Sequence, residues 1–138
     1  MAFTGNYTCN SFKSGLINGD FDFDTDAIKM ALYTNAATLN EDTAAYIDDP
    51  TTGEVSAPGY TASGVTLTVE QGLTNNTAFI SFENVRITAA LVARGALIYK
   101  DGGAAICVLD FGSDKTSTNT FIVTFPTASS ADALIRLS

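Results

Sequence analysis

Alternating apolar and polar positions predict a chain built from short β-strands with little helix. In residues 27–34 (AIKMALYT), Ile28, Met30 and Leu32 alternate with Lys29, Ala31 and Tyr33, the period-two pattern of a half-buried strand. Residues 64–69 (GVTLTV) repeat the pattern with Val65, Leu67 and Val69 on one face, and a turn follows over residues 72–76. Residues 78–87 (AFISFENVRI) place Phe79 and Ser81 on one face and Ile80 and Phe82 on the other. Residues 120–125 (TFIVTF), ended by Pro126, and residues 133–137 (ALIRL) complete the set.

Only residues 10–19 (NSFKSGLING) break this periodicity. Asn10 or Ser11 caps a short helix there, Phe12 and Leu16 share one face a turn apart, and Gly19 ends it. In the FDFDTD segment that follows, Asp20, Asp22, Asp24 and Asp26 share the solvated face of an extended strand, with Phe21 and Phe23 pointing inward. Residues 35–63, interrupted by Pro50, Gly53, Pro58 and Gly59, are too long for a passive loop, which predicts short helical turns and a functional contact.

The strongest local signal lies in residues 93–115 (ARGALIYKDGGAAICVLDFGSDK), two apolar strands joined by an Asp-Gly-Gly turn. Strands apolar on both faces belong inside a layered β structure. A three-residue loop, Asp101-Gly102-Gly103 with Gly103 left-handed, sets Ile98 opposite Ile106, Ala96 opposite Val108, and Arg94 opposite Asp110. The predicted fold is an all-β antiparallel two-sheet sandwich, jelly-roll-like, of seven or eight strands with one short N-terminal helix. It forms a single domain over residues 1–138, with residues 1–10 as an N-terminal arm.

Composition narrows the function. With 15 acidic and 7 basic residues the net charge is −8, and the basic residues are scattered singly, which disfavours nucleic acid as a partner. The opening MAFTGNYTCN has neither the basic nor the apolar region of a secretory leader, and no apolar run approaches membrane-spanning length, so a soluble protein made in the cytoplasm is expected. Without that leader, the sequons at Asn6 and Asn75 carry no expectation of glycosylation. Cys9 and Cys107 fit no metal spacing, and a disulfide between them is disfavoured in a reducing compartment.

Candidate chemistry is sparse. The chain has no histidine, which removes the usual general base and nucleophile pairings, and no phosphate-binding glycine loop. The acids at Asp20–Asp26 resemble the start of a calcium loop, but Thr25 stands where such a loop needs Gly and Ala31 where it needs Glu. No enzyme, cofactor or metal is expected. Phe3, Tyr7 and Phe12 make the N-terminus aromatic; they either pack the arm on its own sandwich or dock it on a partner. With Tyr46 and Tyr60 of the long connection, these are the candidate partner contacts.

The hairpin ARGALIYK…AICVLDFGSDK, together with Ser11-Phe12-Lys13, IKMALYT from Ile28, Glu54-Val55-Ser56 with Gly59-Tyr60, and the closing ALIRL, resembles small structural proteins of tailed phage virions. The resemblance runs from Ser11 to Leu137. It implies a head cement or decoration protein that bridges capsid subunits and opposes internal DNA pressure. The partners would be the major capsid protein and further copies of the chain, as dimers or trimers on the head surface. A tail-associated adaptor or fibre-attachment module is the alternative. The acidic stretch 41–54 and FDFDTD depart from the family pattern, so its binding surfaces do not transfer.

Overall fold

A computed structural model describes residues 5–46 and 53–138, which leaves Phe3 outside the described residues. Its centre is the expected hairpin, strand β7 (Leu91–Lys100) and strand β8 (Ala105–Ser117). The turn is closed by the Gly103 N–H donating to the Lys100 carbonyl at 2.8 Å. The left-handed residue is Gly102 (φ +74°), not Gly103. The register also differs by one from the predicted ladder: Tyr99 faces Ala105, but Ile98 faces Cys107, Ala96 faces Leu109, and Asp110 faces Gly95. Ile106 is the extra residue of a bulge, and both Ile106 and Cys107 join the same core cluster. Arg94 nevertheless reaches Asp110, Nη2 to Oδ1 at 3.1 Å, with both side chains largely covered. The predicted ion pair forms diagonally from a different ladder position.

Strand β2 (Ile28–Tyr33) pairs antiparallel with β7, while β1 (Tyr7–Thr8) lies against Cys107 and Val108 of β8. With β3 (Val65–Thr66) on the far side of β2, these strands form a five-stranded sheet ordered β1-β8-β7-β2-β3. Strand β2 is not half-buried as its alternation suggests. Ile28, Met30 and Leu32 enter one apolar cluster, and Ala31 and Tyr33 enter a second on the opposite face. The long connection supplies the cover for that second face, burying Ala37 and Leu39 against Tyr33, Leu97 and Tyr99. Its described part contains turns and two isolated bridges, Tyr33–Glu54 and Ala45–Ala104, and no helical turn.

Opposite the large sheet, β4 (Val69–Thr74), β5 (Thr77–Phe82) and β10 (Ile135–Leu137) form a three-stranded sheet, and β6 (Val85–Ile87) pairs with β9 (Phe121–Val123). The main core joins the layers: Met30, Leu32, Ile98 and Ile106 meet Phe82, Ile87, Phe121 and Val123. This is an all-β antiparallel sandwich. Ten strands appear among the described residues because two of the seven predicted strands divide as the chain changes sheet and the predicted arm contributes β1. GVTLTV splits between β3 and β4, and AFISFENVRI breaks at Glu83-Asn84, where the Asn84 side chain accepts the Phe125 N–H at 2.8 Å. The β4–β5 turn is tighter than predicted, with Asn75 and Asn76 both left-handed, the conformation of a two-residue hairpin loop.

Helix α1 (Asn10–Asn18) ends at the left-handed Gly19 as expected, but its N-cap is Cys9. The two predicted capping residues tie the helix to the sandwich instead: Ser11 Oγ donates to the Ala105 carbonyl at 2.7 Å and Asn10 Nδ2 to Asp42 Oδ1 at 2.9 Å. FDFDTD is a turn, not a strand, with the Asp26 N–H donating to the Asp22 carbonyl at 2.8 Å. Phe21 and Phe23 do point inward, each edge-on to the buried Phe12 at centroid distances of 5.0 and 6.0 Å. Cys9 and Cys107 are free and buried, in different apolar clusters. No helix among the described residues is long and apolar enough to cross a membrane.

Candidate functional site

The fold gathers side chains of interest around Glu54, in the middle of the long connection. Backbone bonds from Val55 N to the Leu32 carbonyl (2.9 Å) and from Thr34 N to the Gly53 carbonyl (2.7 Å) seat this segment along β2. The Glu54 carboxylate accepts the Tyr46 hydroxyl at 2.6 Å, the Tyr60 hydroxyl at 2.7 Å and the Ser63 N–H at 2.8 Å. Tyr60 Oη in turn accepts the Leu32 N–H at 2.9 Å. Tyr46 stacks on Tyr99 with ring centroids 4.9 Å apart, and the Tyr99 hydroxyl donates to the Ser63 carbonyl at 2.6 Å. One carboxylate thus ties three points of the connection to one another beside β2, with Tyr60 reaching the main core and Tyr46 the second apolar cluster.

These groups are saturated by one another, as buried polar atoms must be to avoid a desolvation penalty. A cavity of about 410 Å³ opens beside Tyr46 and Tyr99, and among the described residues Asp101 is the only acid lining it. That arrangement is a clamp.

The predicted contact residues fall in unlike places. Tyr60 and Phe12 are interior, 8% and 2% exposed, so a partner docking on the folded domain would not touch them. Tyr46 is half-buried in the clamp, and Tyr7 is half-buried in β1, paired to the protein's own sheet. Three aspartates of the 20–26 turn are engaged internally: Asp26 accepts the Asp22 N–H at 2.8 Å and pairs with Lys100 at 3.2 Å, Asp22 accepts the Asp24 N–H at 3.0 Å, and Asp24 accepts the Gln71 side-chain amide. The bond from the Asp22 backbone, ahead of the lysine charge, holds the Asp26 carboxyl below its ordinary value. Among the described residues no group of three or more Asp, Glu, Cys or His is placed to hold a metal ion. Sequence reasoning missed Glu54 as a hub and Tyr99 and Ser63 as its neighbours; a lone acid among small and apolar residues (TGEVSAPGY) was the available signal.

The clamp and the buried thiols predict an alkaline weakness. Burial, reinforced by the Glu54 and Asp101 charges, pushes the Tyr99 phenol up to about 12, and burial pushes the Cys9 thiol up to about 12. Tyr46 and Tyr60, each bonded to Glu54, move in the same direction, chiefly through burial. Ordinary thiols and phenols lose their protons near 9 and 10. Above those values the unfolded chain holds fewer protons than the folded one, so stability falls as pH rises. It should be intact below about pH 9 and drain away between about pH 9 and pH 12. Urea midpoints at neutral and strongly alkaline pH, read with tyrosinate absorbance, check this; equal midpoints with phenols ionising near their ordinary value would contradict it.

The surface carries a different kind of feature. Leu137, Ala78 and Leu73 stand side by side across β10, β5 and β4, extending the core face of the small sheet past the core. Leu73 is 72% and Leu137 51% exposed. Among the described residues, strands β4 and β10 are the sheet's edges and β9 is paired on one side alone. Fold and surface together define an antiparallel β-sandwich with an internally satisfied polar clamp and exposed strand edges. Comparison with protein-family models, curated proteins and solved structures finds no match.

Proposed function

We propose that this chain is a phage virion structural protein, a cement or decoration protein that binds the outer head surface and stabilises it against internal DNA pressure. The observation that carries this reading is how the polar chemistry is used. The acid–phenol cluster at Glu54 spends its hydrogen bonds inside the fold, while the accessible features are strand edges and an exposed apolar row. Such a surface suits adhesion to protein. Many identical weak contacts on a symmetric lattice give firm attachment where one small interface would not. An acidic surface also keeps the protein from the packaged nucleic acid. The test is to mix purified protein with undecorated heads and image them. Saturable occupancy of regular lattice points is expected, and binding confined to the tail vertex would transfer the proposal to a tail adaptor.

A further inference from the structure

Strands β8 and β9 are consecutive yet do not pair. Beyond its contact with β1 at Cys107 and Val108, β8 is laddered only to β7 among the described residues, and β9 only to β6. Between them lies an open groove of about 360 Å³, lined by Phe111, Lys115, Thr116, Ile122 and Thr124 among others. Among the described residues Lys115 is its only charged residue and has no ion-pair partner; Ile122 is 52% exposed. Unpaired strand edges present rows of backbone donors and acceptors, and proteins ordinarily guard them with lysine, proline, a bulge or a cover.

The chain carries a second open edge of matching character. Strand β4 (VEQGLT) pairs with β5 on one side and has no partner strand on the other among the described residues. Glu70, Gln71, Leu73 and Thr74 are exposed along it and it contains neither proline nor lysine; the turn over residues 23–26 lies beside its first half, where Gln71 Nε2 donates to Asp24, and Glu70 has no ion-pair partner among the described residues. One edge offers Glu70 with Asp24 and Asp26 close by, beside Val69 and Leu67, and the other offers Lys115 beside apolar side chains. We infer that copies of this chain associate edge to edge, β4 of one copy lying along the open β9 groove of the next, with Glu70 meeting Lys115. The two surfaces differ, so the contact is head-to-tail and builds a closed ring, such as a trimer, or a chain of copies. This deepens the proposed role by naming the surfaces that join copies, and it rests on that role only for its use.

Light scattering after size exclusion, over a range of protein concentrations without capsids, tests the inference separately from head binding. The wild-type chain should form oligomers that weaken as salt is raised. Glu70→Lys and Lys115→Glu, with circular dichroism confirming their fold, should each raise the dissociation constant at least tenfold. Mixing the two variants restores an opposite-charge pair wherever unlike copies meet, so assembly should return as even-numbered rings or open chains, and the double variant, which restores the pair at every contact, should assemble like the wild type. A wild-type chain that stays monomeric at every concentration overturns the inference, as do single reversals without effect. Disruption by Glu70→Lys but not by Lys115→Glu would indicate a symmetric β4–β4 contact and overturn it as well.

Discussion

Gly64→Ala should be the most damaging single-methyl change in this protein, costing about 3–5 kcal/mol or abolishing folding. Gly64 leads into β3 with φ +87°, a conformation that penalises any L side chain by about 1–2 kcal/mol. Collision adds more than this backbone penalty. A Cβ there would overlap the Met30 carbonyl oxygen, 2.5 Å from the carbonyl carbon and 2.8 Å from Ala31 Cα. These are backbone atoms of β2, laddered along its whole length to β7, and cannot swing away as a flexible side chain does. Relief requires moving β3 off β2, which also pulls on the Ser63 carbonyl that Tyr99 binds and on Ser63 Oγ, which holds Lys29. The control is Gly102→Ala, at a similar φ of +74° but with nothing within 4 Å of the added methyl. It should pay only the backbone penalty, about 1–2 kcal/mol. Urea unfolding of both variants measures the contrast; equal losses would show that the close packing of β3 on β2 does not hold.

Glu54→Ala should destabilise the fold by about 2–4 kcal/mol, a large effect for a residue outside the main core. The substitution removes the acceptor of three hydrogen bonds and leaves the Tyr60 hydroxyl and the Ser63 N–H facing a gap in a covered site. Glu54→Gln keeps the shape but turns an amide NH₂ toward a donor, so it should lose about 1–2 kcal/mol. Tyr60→Phe deletes one donor and orphans the Leu32 N–H, for a loss of similar size. Because Glu54 and Tyr60 share one bond, the Glu54→Ala/Tyr60→Phe pair should cost less than the sum of its parts. Urea midpoints with matched slopes would measure all four; a Glu54→Ala midpoint equal to wild type would show that the clamp does not stabilise the fold.

What was legible in the sequence follows from which forces are local. The β7–β8 hairpin was legible because an Asp-Gly-Gly turn between apolar runs has few other solutions, and the Arg94–Asp110 pair because opposite charges near a ladder find each other. The register was not legible. A bulge at Ile106 shifts the ladder by one residue, and its benefit, placing both Ile106 and Cys107 in the core, exists only once the smaller sheets lie against the hairpin. The helix end at Gly19 was legible for the same local reason as the turn; its start was not, because Asn10 and Ser11 found partners on Asp42 and Ala105, distant in sequence. Strand β2 looked half-buried because Lys29 interrupts it, yet the long connection folds over its second face. The clamp was least legible of all: Glu54, Tyr60 and Ser63 are near in sequence, but Tyr99 and Leu32 come from strands.

By itself, then, the sequence determined the β class, the main hairpin and its ion pair, the short N-terminal helix and the absence of histidine. Those depend on alternation, turn chemistry and composition, which act over a few residues. Only the tertiary structure decided which strands share a sheet, where they break, which aromatic residues are interior and which edges stay open. Those outcomes depend on burial between segments far apart in the chain, where covering apolar surface and satisfying backbone polar groups outweigh any local preference.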